Sequence, residues 1–113
     1  MDDHGRVDPA CLPAFDDRTN LCLQAGEVNT GEFDPFDAII PHAKGAGAWV
    51  HVDGAFGLWA RASSRRDLTV GIDGADSWTT GHKWLNTPCG SAWKRDPGSG
   101  VIGVEKGPLI PLV

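Results

Sequence analysis

The chain has 113 residues, with 10 Lys and Arg against 15 Asp and Glu, giving a net charge of −5. That length suits one small domain, which buries roughly 65% of the surface its unfolded chain exposes, and the acidic balance argues against a nucleic-acid or anionic-membrane surface, which would need a basic patch. No apolar run approaches the ~20 residues that span a bilayer, and the start Met-Asp-Asp-His-Gly-Arg has no apolar signal core.

Cys11, Cys22 and Cys89 are odd in number, far apart and without a Cys-x-x-Cys spacing. They fit a reducing, cytoplasmic setting with no disulfide framework and no thiolate metal site. Arg61, Arg65 and Arg66 form the only basic cluster and read as a solvated face.

Residues 1–19 are polar and rich in Asp and Pro, and they read as an extended lead-in. Asn20 to Ala25 is a short apolar run of the kind a buried strand makes, and Gly26 to Gly31 reads as the turn at its carboxyl end. A helix start follows. Asp34 is a suitable N-cap, Pro35 suits the first helical position, and Asp37 lies in the first turn, where the helix dipole favours an acid. Phe36, Ile39 and Ile40 are spaced to share a face, and Gly45 marks the exit. Pro41 inside this stretch should kink or shorten the helix.

Ala48 to Asp53 is the clearest strand, and its near-continuous apolar character predicts cover on both faces. A period of two puts Trp49, His51 and Asp53 on one side and Val50 and Val52 on the other. Strand, helix and strand within about thirty residues make a βαβ unit, which requires a parallel pair. Phe56 to Gly74 reads as irregular, Ala75 to Thr80 as a third strand, and Gly90 to Arg95 as a fourth. The expected organisation is a lead-in over 1–19, an α/β unit over 20–95 with a mostly parallel sheet, and a loosely ordered tail over 96–113.

Two strand ends carry chemistry. The strand ending in Asp53 is followed by Gly54 and Ala55, small residues that let a flat ligand approach the backbone. The third strand leads into Gly81-His82-Lys83. Carboxyl ends of neighbouring parallel strands converge on a ligand crevice. An acid and a lysine brought there match the needs of pyridoxal phosphate: the acid keeps the pyridine nitrogen protonated, and the lysine carries the coenzyme as a Schiff base. A lysine after a buried strand, between His82 and Trp84, would be partly desolvated, which lowers its pKa and exposes a neutral amine.

A metal reading can draw on His51, Asp53, Asp76 and His82, but no third ligand has a recognisable spacing, and no metal is expected. No phosphate-cradling glycine pattern is present, because Gly45-Ala-Gly47 precedes a strand instead of opening a helix. Ser63-Ser64 lacks the elbow of a serine hydrolase.

Cys22 to Pro35, Trp49-Val-His-Val-Asp-Gly-Ala-Phe-Gly57, Ala75-Asp-Ser-Trp78 and His82-Lys-Trp-Leu-Asn86, taken together in this order, resemble the pyridoxal-dependent decarboxylase family, the group of aromatic-amino-acid and glutamate decarboxylases with the aspartate-aminotransferase-type fold. The resemblance runs from about Gly5 to Arg95 and implies a fragment of the large domain of that transferase-type fold.

It further implies that Lys83 is the Schiff-base lysine, that Asp53 pairs with the pyridinium nitrogen, and that Ala55 packs on one ring face. His82 and Thr80 would lie near the phosphate, and Asn29 would approach the ring hydroxyl or the substrate carboxylate. Thr80-Gly81 stand where the family usually has Asn or Asp followed by Pro or Ala. The implied function is a carboxy-lyase acting on an amino acid, with Lys83 or His82 handling protons. Family members are several times longer and build their sites across a homodimer interface. The chain is therefore expected to be a piece carrying the lysine-side half of the site. The alternatives are a non-catalytic remnant serving as an interaction module, or another pyridoxal-phosphate enzyme of the same fold.

Overall fold

The computed structural model describes residues 1–81 and the strands Ser91–Arg95 and Ile102–Glu105. Five strands form one sheet in chain order: β1 (Asn20–Gln24), β2 (Trp49–Gly54), β3 (Ser77–Thr80), β4 (Ser91–Arg95) and β5 (Ile102–Glu105). β1 and β2 are parallel, as are β2 and β3, whereas β4 and β5 run antiparallel to their neighbours. Helix α1 (Phe36–Gly45) connects β1 to β2, completing the expected βαβ unit. The α/β class and the parallel trio agree with the sequence. Within 96–113, read as a loosely ordered tail, residues Ile102–Glu105 form β5 against β4.

The core lies between α1 and one face of the sheet. Phe36, Ile39, Ile40 and Ala43 of α1 are buried with Leu23, Val50 and Val52 from the strands and with Ile72, Ala75 and Trp78. The other face carries Asn20, Cys22, Gln24, Trp49, His51, Asp53, Ser77 and Thr79 by the strand alternation. Val50 and Val52 have no exposure, but Trp49 retains 40%. The expectation of cover on both faces of β2 is thus corrected: the described residues cover one. Large side chains such as Trp49 and His51 made the run look continuous, yet both keep a polar atom that tolerates a half-wet surface.

Asp34 does not cap α1. Its Oδ1 accepts the Val7 N–H and its Oδ2 the Gln24 N–H, each at 2.7 Å, and no side-chain cap bond is present at the helix start. The carboxylate is buried and takes backbone donors from two segments, tying the lead-in to the edge of β1. The lead-in also contributes Val7, Leu12 and Phe15 against the core. Pro41 does not end α1, which continues to Gly45. A proline there deprives only the Asp37 carbonyl, and both residues are exposed, so water can take that acceptor. The left-handed residue after the helix is Gly47, with φ +83°.

The connection from β2 to β3 contains no α-helix. It passes through three short 3-10 turns, Leu58–Ala62, Arg66–Thr69 and Ile72–Gly74. At its end the Trp78 Nε1–H donates to the Ile72 carbonyl at 3.0 Å inside the core. Asp76 binds Lys44 Nζ and accepts the Val50 N–H at 2.8 Å, joining the helix end to both central strands. β3 consequently begins at Ser77, two residues later than the sequence suggests, because Ala75 and Asp76 are used in this junction.

Candidate functional site

The carboxyl ends of β2 and β3 are brought into backbone contact. Gly81 N–H donates to the Ala55 carbonyl at 3.2 Å, and Trp59 Nε1–H reaches the Gly81 carbonyl at 3.5 Å. The approach requires glycine: a Cβ on Gly81 would stand 2.5 Å from the Ala55 oxygen. One on Gly54 would stand 2.6 Å from Leu58 Cβ. On the β1 side, Gly57 N–H donates to the Ala25 carbonyl at 2.9 Å, and a Cβ there would meet that oxygen at 2.5 Å. Three strand ends are thereby drawn to one edge by close backbone packing.

Asp53 stands exposed on this edge, on the open face. Its Oδ1 accepts the Ala55 N–H at 2.9 Å, a side-chain-to-backbone turn that points the carboxylate away from the strand. Thr79, directly across from Asp53 in the β2–β3 register, places Oγ1 3.4 Å from the same oxygen. Among the described residues nothing donates to Oδ2. Ala55 is half-buried beside it.

Thr80 lies on the opposite, core-side face, across from Gly54. It is 9% exposed, and among the described residues its Oγ1 has no hydrogen-bond partner. A buried orphan hydroxyl at a strand end calls for an explanation such as a ligand atom or a water.

Asn29 lies in the turn after β1, and its amide is already engaged. The Glu27 carboxylate accepts the Asn29 N–H at 2.7 Å, the Asn29 Nδ2–H at 2.9 Å and the Thr30 N–H at 2.8 Å. The Thr30 N–H leads in holding the Glu27 carboxyl below its ordinary value, with the Asn29 donors adding to it against partial desolvation. Lys83 and His82 lie outside the described residues.

Of the residues weighed as metal ligands, His82 lies outside the described residues. Asp76 sits before the start of β3, at the far end from Asp53, and is engaged by Lys44 and Val50. His51 is half-buried, and its Nδ1 shares a 2.7 Å hydrogen bond with Ser77 Oγ, as a packed histidine would. Among the described residues no group of three His, Cys, Asp or Glu is placed to hold an ion.

Sequence reasoning did not find Thr79 or Ser77. Both are defined by strand register, which composition and period do not reveal. The only signal was their shared phase with His51 and Asp53.

A family model described as the pyridoxal-dependent decarboxylase conserved domain matches residues 18–99. The chain belongs to the pyridoxal-dependent decarboxylase family. Among curated relatives, L-tyrosine/L-DOPA decarboxylase 2 of Lophophora williamsii is 34% identical over 97 residues, covering 82% of this chain and 18% of that protein. Phenylacetaldehyde synthase of a Rosa hybrid cultivar is 37% identical over 81 residues, 68% of this chain and 16% of that protein.

Among solved structures, mouse CSAD in apo form superposes with a TM-score of 0.73 at 30% identity, covering 88% of this chain and 23% of that one. Oryza sativa TDC with PLP and tryptamine gives 0.60 at 31% identity, over 67% of this chain and 17% of that one. The transferase-type fold of these decarboxylases is the fold of this chain, which spans less than a fifth of the length of the curated relatives named here.

Proposed function

We propose that this chain carries the lysine-side half of a pyridoxal-phosphate site in an amino-acid decarboxylase. The observation that supports this best is the convergence of Asp53, Ala55 and the β3 exit at Gly81 on one strand edge, within a chain of this family. Bound pyridoxal phosphate supplies an electron sink for the pair released when carbon dioxide leaves an amino acid.

The residues present fit such a group. The Asp53 carboxylate would hold a proton on the pyridine nitrogen through the oxygen that the described residues leave open. Ala55 is small enough for a flat ring to lie against it. The Thr80 hydroxyl, unpartnered among the described residues, would find an acceptor among phosphate oxygens. Lys83 would attach the coenzyme through its amine, and His82 would move a proton near it; Asn29 would reach the substrate side only by exchanging its bond to Glu27. The free thiols of Cys11 and Cys22 fit a reducing, cytoplasmic setting, and among the described residues no helix is long and apolar enough to cross a membrane. The substrate would be an amino acid, and a homodimer would complete the site.

Incubation with pyridoxal phosphate, borohydride reduction and mapping of the adduct test the reading. Modification should concentrate at Lys83. Labelling spread evenly over Lys44, Lys83, Lys94 and Lys106 would remove the coenzyme site from this chain. The open sheet face favours one second reading, a non-catalytic module that docks on a partner, and even labelling would support it.

A further inference from the structure

The strand β3 reads Ser-Trp-Thr-Thr, and its alternation sends Trp78 and Thr80 to the core side and Ser77 and Thr79 to the open face. The register pairs Ser77 with His51 and Thr79 with Asp53. Each hydroxyl therefore stands across from an ionisable side chain of β2, and each touches it: Ser77 Oγ lies 2.7 Å from His51 Nδ1, and Thr79 Oγ1 lies 3.4 Å from Asp53 Oδ1.

We propose that Thr79 is a positioning residue for Asp53, its hydroxyl holding one carboxylate oxygen so that the other is presented to a ring nitrogen. This rests on the reading of Asp53 given above. Asp53 is exposed, and a free strand-end carboxylate would sample several rotamers, only some of which could meet a ligand placed at the edge. The Ala55 N–H fixes Oδ1 from its own chain, which restrains the side chain along the strand. Thr79 approaches the same atom from the neighbouring strand, which restrains it across the sheet.

Two donors on one oxygen, one from the same strand's exit and one from the neighbouring strand, leave Oδ2 as the acceptor that the described residues do not claim. Threonine suits this role because its branched Cβ has few χ1 options, so the hydroxyl is itself held in place. The contact is long for an O–H···O bond, and bonds of this type tighten once a ligand excludes water. A fixed carboxylate makes its charge–charge contact without first losing rotamer freedom.

A purely structural role for Thr79 makes a different forecast. Valine has the same shape and a comparable strand preference, so it would preserve the sheet while removing the hydroxyl. The 113-residue chain, isotope-labelled, allows the Asp53 χ1 angle to be read from three-bond couplings. The unmodified chain should give couplings of one rotamer. Thr79→Val should give averaged couplings, and Thr79→Ser should restore the single rotamer. Ser77→Ala should disturb the His51 ring signals and leave Asp53 unchanged.

Retention of pyridoxal phosphate, followed by absorbance, should weaken about tenfold in Thr79→Val, as expected for one hydrogen bond to a charged group, and more in Asp53→Asn. Wild-type couplings and wild-type retention in Thr79→Val would overturn the proposal. Unchanged retention in Asp53→Asn would instead overturn the ring-nitrogen reading, while the couplings would still decide whether Thr79 orients the carboxylate.

Discussion

Gly57 joins three elements at a single Cα. Its N–H binds the Ala25 carbonyl, and a Cβ would stand 2.5 Å from that oxygen and 2.6 Å from Phe33 Cζ. The first obstacle is backbone, so the turn after β2 would have to shift away from β1. Gly57→Ala should therefore destabilise the fold by about 1–3 kcal/mol, the usual range for an overpacked site. In urea this appears as a lower midpoint at unchanged slope; an unchanged midpoint would mean that the edge relaxes freely. Asp34 carries a related lesson. Its position before Pro35 matches a helix cap, but the partners that claim it are Val7, 27 residues earlier, and Gln24. Nothing in a local window reveals a bond at that separation, and for the same reason Thr79 stayed hidden while Asp53 did not.

The turn after β1 carries a pH dependence of its own. Glu27 accepts from Asn29 and Thr30, and its folded-state value lies below the ordinary 4.5. A depressed acid contributes order that is fully present above its ordinary value and is lost as the pH falls through the lower folded value. The amide signals of Asn29 and Thr30 should accordingly stay fixed at neutral pH and move toward random-coil positions as the pH drops below 4.5. Glu27→Gln should remove that transition. The same low-pH transition persisting in Glu27→Gln would sink the assignment. At this scale the sequence was most legible. β2 followed from its period of two, and α1 from its apolar spacing and the Pro35 entry. The exception was the second face of β2, because Val, Trp and His satisfy an apolar pattern whether or not anything covers them.

Across the whole molecule, protection should follow the sheet. β2 has parallel partners on both sides and two wholly buried valines, so the amides of its central residues should exchange slowest. The 3-10 turns between Leu58 and Gly74, with exposed Phe56, Trp59 and Val70 around them, should exchange fastest among residues 20–80. Hydrogen exchange read by mass spectrometry distinguishes the two. Equal protection in both segments would show that the chain opens as one unit.

The helix-free connection between β2 and β3 also bears on the order of assembly. Strand β1, helix α1 and strand β2 close through connections shorter than the one leading to β3, and α1 can nucleate locally before packing on them. β3 must instead arrive over residues 55–76, whose three brief turns give little help in closing the loop. A transition state built from the first unit would already contain Leu23, Ile39 and Val52, with Ile72 and Trp78 joining afterwards. Asp53 would then be in place on the nascent sheet before Thr79 and Thr80 reach it, so these residues of the candidate site come together only when β3 docks.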